Sequence, residues 1–514
     1  MPISLYDTTL RDGTQREGLS LSVEDKLKIA RLLDELGVTY VEGGWPGSNP
    51  KDAEFFRRMA GDPLRQAKVA AFGSTRRVGT GCDADANLRA LLDAATPVVT
   101  IVGKSSTLHV ERVLEVSRDE NLAMISESVE WLRRHGREVV YDAEHFFDGW
   151  ALDPDYALAT LEAAESAGAD WIVLCDTNGG MLPARVGEIV CRVRDRIRAP
   201  LGIHPHDDSG LAVAVALTAV EAGCTQVQGT INGYGERCGN VDLVTVIANL
   251  QLKLGHPILP VGRLARLTDV SRVVAAIANL NPDAHAPYVG RSAFAHKGGI
   301  HVAAVAKLPD SYQHVDPALI GNEMRVVVSE MAGRRNVRLR AEALGLDSGA
   351  DENLVLQRVK ELEHRGFQFE AADGSFEMLI RRATPGYQAP FELLDFTVIV
   401  EKRGGQEVQA QATVKLRVGK EIMHTAAEGA GPVNALDRAL RKALLPLHPG
   451  LAEVRLVDYK VRIVDEHLGT GARPRVIVES ARGAERWSTV GCSENIIEAS
   501  WLALWDALEL PLHR

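Results

Sequence analysis

The first half of the chain alternates short β-rich apolar runs with longer segments whose apolar residues recur every three or four positions. The runs lie near residues 3–7, 40–44, 68–73, 97–103, 138–142, 170–175, 200–204 and 225–231. Most of the segments between them read as amphipathic helices; in Val23 to Leu36, for example, the apolar positions share one face and Gly37 provides a stop. Eight strand–helix units over about 250 residues predict an α/β fold of the (β/α)8 TIM-barrel type.

A doubly wound open sheet shares this alternation, because periodicity does not report closure. The polar residues, however, cluster where the runs end, at Arg11 and Asp12, Glu42, Glu144, Asp176 and Thr177, His204 and His206, and 232–240. Barrel enzymes build their active sites at this rim. In an open sheet the same ends would form a line too long to share one ion, so the pattern favours the barrel.

The pattern changes twice beyond the barrel, which predicts three domains. Residues 1–255 form the catalytic barrel, and residues 256–388 form a helical linker region that covers the active site or mediates dimer contacts. Helical patterns in that region occur at 262–280, 292–306, 351–364 and 375–383. Residues 389–514 contain a weak internal repeat of alternating runs followed by a helix. The repeat predicts an α+β domain of two βββα units, with helices near 432–444 and 494–505.

Composition narrows the class of protein. Hydrophobic residues at 46% and charged residues at 25% are typical of a soluble globular protein of several domains, given 514 residues. The formal net charge of -11 argues against a nucleic-acid partner or an anionic membrane surface. The six cysteines form no C-x-x-C pair, and neither a signal peptide nor an apolar run of about 18 residues is visible. We therefore expect a cytoplasmic protein with reduced thiols.

A candidate metal site combines residues that are far apart in the chain. His204 and His206 end the seventh run and project to one face of a strand, with Pro205 turned away. Asp12 follows the first run and adds a carboxylate, and this donor set suits a divalent transition ion. Each part also has a purely structural explanation, as hydrogen-bonded rim histidines or as a local Arg11–Asp12 ion pair. Their joint position at strand ends favours the metal.

Two further residues extend this candidate site. Asn240 ends a glycine-dense loop, residues 232–240, where backbone can approach a ligand closely, although asparagine also favours ordinary turns. Arg11 offers fixed donors beside the ion, where negative charge could develop on an oxygen. A metal next to a fixed cation indicates an enzyme that acts on an anionic carbonyl compound.

Three segments resemble the signatures of one enzyme family, which contains the 2-isopropylmalate, homocitrate and citramalate synthases. The segments are 7–15 (DTTLRDGTQ), 204–206 (HPH) and 232–240 (NGYGERCGN). Residues 141–149, 294–301 and 434–442 are similar to the citramalate synthase branch, and the resemblance covers nearly the whole chain. It implies a Claisen condensation of acetyl-CoA with pyruvate that gives (R)-citramalate and CoA, in a pyruvate route to isoleucine.

The resemblance also implies individual roles. The expected ligands of the divalent ion (Mn, Mg, Zn or Co) are Asp12, His204, His206 and Asn240. Arg11 would contact the substrate and the developing alkoxide, and Thr177 would bind the substrate carboxylate, although Asp176 and Thr177 also suit a helix cap. Glu144 matches the family's catalytic glutamate. His301 and Tyr312 match a catalytic histidine and tyrosine that the helical region supplies, often from the partner subunit of a homodimer.

Three positions weaken parts of this comparison. Asp207 stands where relatives more often have asparagine, so the surroundings of His206 can differ. Ala303 replaces an acid found in several relatives two residues beyond the position of His301. Some citramalate synthases have an aromatic residue in the oxo-acid pocket, at a position near Asp142 of this chain. This pocket therefore gives no basis for inferring a preference for pyruvate from those relatives.

The resemblance implies that the C-terminal domain, residues 389–514, is an allosteric regulatory domain that binds the end product of the pathway, isoleucine. The candidate residues precede the two helices, and they are Gly429, Gly431, Gly491 and Ser493. Exposed amides at a helix N-terminus attract carboxylates, although glycine and serine are also ordinary capping residues.

Three other functions remain as alternatives. A 2-isopropylmalate synthase would differ in the size of its oxo-acid pocket. A carbon–carbon lyase of the hydroxymethylglutaryl-CoA lyase type would lack the long C-terminal domain. A non-catalytic amino-acid sensor would not need the intact Arg11, Asp12, His204 and His206.

Overall fold

Eight parallel strands close into a barrel, because β1 pairs with β2 on one side and with β8 on the other. The strands are β1 Ser4–Asp7, β2 Tyr40–Gly44, β3 Lys68–Ser74, β4 Val98–Lys104, β5 Glu138–Glu144, β6 Trp171–Asp176, β7 Leu201–Pro205 and β8 Gln226–Gly229. The computed structural model describes residues 3–327, 337–338, 341–342, 346, 351–369, 372–404, 407–464, 471–483 and 485–514. The closure confirms the predicted (β/α)8 barrel and excludes the open sheet.

Ten helices follow the barrel strands within this described part. They are α1 Val23–Leu36, α2 Pro50–Gly61, α3 Ala86–Asp93, α4 Thr107–Arg112, α5 Arg118–Arg134, α6 Phe146–Leu152, α7 Pro154–Ser166, α8 Pro183–Arg194, α9 Ala212–Glu221 and α10 Leu243–Leu252. Helix α1 illustrates how local sequence sets their ends. Ser22 and Asp25 form a capping box at its start, and Gly37 ends it with a left-handed φ of 103°.

The alternation of side chains along the strands separates two apolar layers. The larger one lies between the strands and the surrounding helices. The smaller one fills the interior of the barrel and consists of Tyr6, Tyr40, Ala70, Val98, Val140, Val173 and Cys175. Residues two and four positions beyond these therefore also face inward, towards the carboxyl ends of the strands. Asp142 and Glu144 follow Val140 in this way.

The chain divides into two compact units, one of residues 1–294 with 315–323 and one of residues 295–314 with 324–514. The first unit adds helix α11, Leu267–Ile277, after the barrel. The second contains a short parallel pair, β9 Ala295–His296 with β10 Arg325–Val326, and helix α12, Gly299–Val305. Both helices are shorter than the patterns at 262–280 and 292–306 predict, and a strand occupies part of the second pattern.

The remainder of the second unit contains the predicted repeat. Two described helices come before the repeat, α13 Glu352–His364 and α14 Asp373–Ala383. The repeat itself consists of β11 Glu392–Glu401, β12 Gln409–Val418, β13 Glu421–Gly429, α15 Pro432–Leu444, β14 Arg455–Ile463, β15 Pro474–Arg482, β16 Glu485–Cys492 and α16 Ile496–Glu509. Strands β11 to β13 and β14 to β16 form two antiparallel sheets, and α15 and α16 share one apolar core with them. This confirms the two βββα units.

Among the described residues, none of the helices combines the length and the apolar character needed to span a bilayer.

Candidate metal and substrate site

A cavity of about 710 Å³ lies at the carboxyl ends of the barrel strands. Each of the eight strands, or the loop that follows it, contributes to the wall. The predicted site residues that line it are Arg11, Asp12, Glu144, Thr177, His204 and His206. The barrel thus brings together positions that are nearly two hundred residues apart.

Asp12, His204 and His206 form a buried cluster in this wall. One potential ligand atom from each lies within 4.8 Å of the other two. Asp12 Oδ1 and His206 Nδ1 are buried and have no hydrogen-bond partner among the described residues. Leaving such atoms unpaired is unfavourable, and both are good donors to a metal. The residues present therefore fit a divalent ion.

The ring of His204 is held in one orientation by β8. His204 Nδ1 lies 2.8 Å from Gln228 Oε1, and Gln228 donates its amide nitrogen to Asp142 Oδ1 across 3.0 Å. Because the Gln228 oxygen accepts from Nδ1, His204 Nε2 is the nitrogen that faces the cluster, 3.4 Å from Asp12 Oδ2. This role of Gln228 could not be predicted from the sequence, because it depends on the register of the barrel strands.

The charges of the cluster are mutually dependent. Burial raises the pKa of Asp12, but Arg11 and His204 lower it more, so that the pKa lies well below its ordinary value. Burial lowers the pKa of His204, and Asp12 overcomes this and raises it to about 9. Burial and the neighbouring charge of His204 lower the pKa of His206 to about 4. The Asp12 carboxylate is therefore ionised, and it favours a positive charge next to it.

A second group, Asp142, Cys175 and His204, also has potential ligand atoms within 4.8 Å of one another. Burial raises the pKa of Asp142 to about 7 and raises the pKa of the Cys175 thiol well above its ordinary value. This group therefore carries less negative charge than the group around Asp12. It also competes for the same histidine, so we take the Asp12 cluster as the candidate metal site.

Asn240 lies beside His204 and is buried, with its Oδ1 2.8 Å from His204 Nε2. Its Nδ2 donates to the carbonyl oxygen of Tyr234 across 3.2 Å. The glycines of the loop make this approach possible, because a Cβ on Gly235 would lie only 2.3 Å from Asn240 Nδ2. Asn240 is thus placed where it can join the candidate ligands.

Arg11 is fixed at the cavity wall by β2 and β3. Its Nε donates to Glu42 Oε1 across 2.6 Å, and its guanidinium lies over the Phe72 ring, 3.7 Å from the centroid. Tyr6 and Thr8 donate further hydrogen bonds of 2.6 Å to the same buried carboxylate. Burial lowers the pKa of Arg11, but Glu42 raises it well above its ordinary value. Arg11 is therefore a permanent, oriented cation.

Glu144 and Lys104 form an ion pair in the same cavity, between Glu144 Oε2 and Lys104 Nζ. Lys104 was not among the predicted site residues, although a charged residue at the end of the fourth apolar run could have indicated that it lies in the cavity. Arg76, Arg77 and Arg237 also line the cavity and were missed. Arg76 forms ion pairs with Glu120 and Glu127, and Arg237 forms one with Asp208, so these two cations are held by neighbouring carboxylates.

Thr177 lines the cavity at the end of β6, where its Oγ1 accepts the backbone N–H of His145 across 2.8 Å. Its neighbour Asp176 accepts the N–H groups of Gly180 and Met181 instead. Asp176 therefore closes the turn before α8, and Thr177 presents its hydroxyl to the cavity.

His301 and Tyr312 belong to the second unit. Their rings stack with centroids 4.3 Å apart, and both side chains are exposed. Ala303 lies in the same short helix, α12. In the first unit, Asp207 Oδ1 accepts the N–H of Ala212 at the start of α9 across 2.9 Å, so this residue caps a helix.

The four candidate effector residues have local structural roles as well. A Cβ on Gly429 or Gly491 would lie 2.4 Å from Ala435 N or 1.9 Å from Ala499 O, so both glycines allow strand and helix to pack closely. Gly431 is the N-cap of α15. Ser493 Oγ accepts the N–H of Asn495 across 3.1 Å, just before α16.

Comparisons with known proteins agree along the whole chain. Residues 2–274 match the HMGL-like family, residues 288–366 the homocitrate synthase post-HMGL domain-like family, and residues 370–512 the LeuA allosteric (dimerisation) domain. The three matches together cover both units.

Two (R)-citramalate synthases are similar to this chain along its whole length. An (R)-citramalate synthase of Geobacter sulfurreducens is 51% identical over 100% of this chain and 98% of its own length. An (R)-citramalate synthase of Synechocystis is 53% identical over 99% of this chain and 96% of its own length. Among solved structures, a hydroxymethylglutaryl-CoA lyase of Pseudomonas aeruginosa matches with a TM-score of 0.48 and 21% identity over 60% of this chain and 98% of that one.

Proposed function

The chain belongs to the family of the (R)-citramalate synthases, and from this membership we propose that it condenses acetyl-CoA with pyruvate to give (R)-citramalate and CoA. The observation that carries the proposal is the meeting of Asp12, His204 and His206 beside Arg11, in a cavity that also contains Glu144. A candidate metal site, a fixed cation and a carboxylate base are the groups that this reaction requires. The product would serve a route to isoleucine.

The metal is proposed to be held by Asp12, His204 and His206, with Asn240 as a further ligand. A divalent ion bound there supplies Lewis acidity towards the carboxylate and keto oxygens of a 2-oxo acid. Mixed nitrogen and oxygen ligands suit Mn, Co or Zn, and carboxylate oxygens also suit Mg. The two unpartnered donor atoms of Asp12 and His206 support this assignment.

Residues of the cavity wall are proposed to bind the oxo acid. Arg11 directs N–H donors at the keto oxygen, where negative charge grows during attack, and Glu42 keeps the guanidinium from turning. The hydroxyl of Thr177 is proposed to donate to the substrate carboxylate. Both residues act without rearrangement, because each is already held by hydrogen bonds.

Glu144 is proposed as the base. It accepts a proton from the methyl group of acetyl-CoA, and the electron pair of that C–H bond forms the new bond to the keto carbon while the keto oxygen takes up the carbonyl pair. The resulting alkoxide takes the proton back from Glu144 and becomes the hydroxyl of citramalyl-CoA. Water then cleaves the thioester: its oxygen joins the new carboxyl group, and one of its protons goes to the departing CoA thiolate. A positioned base typically contributes about 10²–10⁴-fold to the rate. His301 and Tyr312 are proposed to assist the proton transfers in the assembled enzyme.

The regulatory domain is proposed to form a homodimer. Apolar side chains are exposed on β11, β13 and β14, and they are Ile399, Val400, Ile422, Leu456, Val457, Val461 and Ile463. Exposed apolar faces of this extent mark protein interfaces, and the match to a dimerisation domain indicates a second copy as the partner. Sedimentation at micromolar concentration should give twice the monomer mass of 55.8 kDa.

Isoleucine is proposed as the feedback effector. A shallow cleft of about 530 Å³ lies next to Gly429 and contains Arg438 and Lys442, whose charges suit a carboxylate, and Glu428, whose charge suits an ammonium group. Millimolar isoleucine should lower the activity of the purified enzyme, with leucine as the control. Undiminished activity would remove isoleucine from the proposal and leave the condensation untouched.

Thiol release from acetyl-CoA tests the condensation directly. The assay compares pyruvate, 2-oxobutyrate and 3-methyl-2-oxobutanoate, each with and without a chelator. We expect the fastest release with pyruvate and its loss on chelation. Faster release with the branched acid would establish a 2-isopropylmalate synthase instead. The assay has to compare the acids directly, because each added carbon in such a pocket changes the binding free energy by only about 1–3 kcal/mol. Cleavage of a 3-hydroxyacyl-CoA without any condensation would indicate a lyase.

A further inference from the structure

Lys104 and Glu144 occupy equivalent positions on neighbouring barrel strands. They are partners in the parallel register of β4 and β5, and each is the last residue of its strand. Val98 and Val140 face the barrel interior on these strands, so the alternation of side chains turns Lys104 and Glu144 inward as well. The backbone therefore places both charges in the cavity.

The backbone around the pair is fixed on both sides. Asn121 Nδ2 donates to the carbonyl oxygen of Lys104 across 2.9 Å, and the N–H of Ser105 donates to the carbonyl oxygen of Glu144 across 3.0 Å. The two side chains are 23% and 25% exposed, which leaves them open to the cavity but partly shielded from bulk water. An ion pair in such surroundings restricts both side chains more than one on the open surface.

The two oxygens of Glu144 are not equivalent. Oε2 is bound by the ammonium of Lys104. Among the residues that the structure describes, the hydrogen bond and ion pair of the Glu144 carboxylate involve Oε2 and not Oε1. Lys104 thus engages one oxygen and leaves the other available to a proton from a bound substrate.

We propose that Lys104 is a positioning residue for Glu144, which orients the carboxylate so that Oε1 meets the methyl group of acetyl-CoA. This inference rests on the proposed function and assigns a role that the condensation chemistry alone does not require. Lys104 acts through Glu144 and takes up no proton itself. A carboxylate without this partner would sample several rotamers, and fewer of them would be productive.

The test compares three variants in the thiol-release assay of the full-length enzyme. Lys104→Met removes the charge, Lys104→Arg keeps a cation that can pair with Glu144, and Lys68→Met is the matched control. Lys68 forms an ion pair with Glu138, at the opposite end of the same strand β5. We expect Lys104→Met to lower kcat about tenfold or more with little change in the KM for acetyl-CoA. Lys104→Arg should recover part of kcat, and Lys68→Met should leave it unchanged.

A second background shows whether Lys104 acts through Glu144. Adding Lys104→Met to Glu144→Gln should cause no further loss of kcat, because the carboxylate that Lys104 orients is already gone. Lys104→Gln serves in place of Lys104→Met if thermal unfolding shows that the methionine variant does not fold.

Two results would overturn the inference. The first is an equal loss of kcat from Lys104→Met in the wild-type and Glu144→Gln backgrounds. The second is a rise in the KM for acetyl-CoA at unchanged kcat, which would make Lys104 a ligand of the CoA moiety. The wild-type assay separates this from failure of the proposed function: if wild-type enzyme releases no thiol with any of the oxo acids, the condensation is wrong and the role of Lys104 falls with it.

Discussion

The Nε atom of Arg11 donates a hydrogen bond of 2.6 Å to Oε1 of Glu42, a carboxylate with no exposed surface. The two residues lie 31 positions apart and meet because β1 and β2 are neighbours in the barrel. This buried acid, together with the Phe72 ring beneath the guanidinium, sets the direction in which Arg11 points.

Replacing this acid tests its effect on Arg11. Glu42→Gln keeps the shape but removes the charge, so we expect Arg11 to shift towards Asp12 and kcat to fall about a hundredfold, as for a misplaced catalytic group. Thiol release measures the loss. Glu24→Gln, which alters an exposed ion pair with Arg58, is the control and should retain full activity. Full activity in Glu42→Gln as well would show that Arg11 needs no such partner.

The candidate ligands can be tested by metal binding alone. Asp12→Asn removes the carboxylate of the cluster, and we expect the affinity for Mn²⁺ to fall more than about a hundredfold, beyond the effect of losing an outer-shell partner. Titration calorimetry of chelator-treated protein measures it. Asp62→Asn, at an exposed site, should bind as wild type does. Equal affinity in both variants would place the ion elsewhere.

The glycine-dense loop should not tolerate a side chain at Gly239. Its φ is 103°, and a Cβ would lie 2.0 Å from the carbonyl oxygen of Gly233. Gly239→Ala should therefore displace Asn240, lower activity at least about tenfold and destabilise the loop by about 1–3 kcal/mol. Thiol release and thermal unfolding measure the two effects. Gly61→Ala, where a Cβ meets nothing within 4 Å, is the control. Wild-type activity in Gly239→Ala would show that the loop geometry is not needed.

Asp34 should make stability depend on pH. Burial raises its pKa, but the N–H groups of Ala67, Arg65 and Gln66 lower it further, to below its ordinary value. The carboxylate therefore stabilises the fold fully above the unfolded pKa of about 3.9, and this stabilisation is lost as pH falls through the folded pKa. Asp34→Asn should reduce the free energy of unfolding by about 1–3 kcal/mol at pH 7.

Urea unfolding at neutral and acidic pH measures this difference. The gap between wild type and Asp34→Asn should shrink below about pH 4, where the wild-type carboxyl also becomes neutral. Asp62→Asn should differ from wild type by less than about 0.5 kcal/mol at either pH, because its side chain is exposed. A gap that does not change with pH would contradict the proposed role of the charge.

The barrel and the candidate cluster of Asp12, His204 and His206 were predictable because local patterns place each of these residues at the end of a strand. Eight runs gave the strands, and the two-residue spacing of His204 and His206 gave two imidazoles on one face. The clustering of polar residues at the strand ends then indicated closure.

The remaining contacts depend on register between distant strands, which periodicity does not contain. Gln228 meets Asp142 across 86 positions, and Lys104 meets Glu144 across 40. Long-range pairing also overrides local pattern outside the barrel. Ala295 and His296 pair with Arg325 and Val326 as a strand, although their own surroundings predict a helix.

Crystals grown with Mn²⁺ test the central claim most directly, because anomalous scattering locates the ion without reference to activity. We expect one strong peak within about 2.0–2.3 Å of oxygen and nitrogen atoms of Asp12, His204 and His206. A fully occupied Mn²⁺ site elsewhere, with no peak among these three side chains, would contradict it.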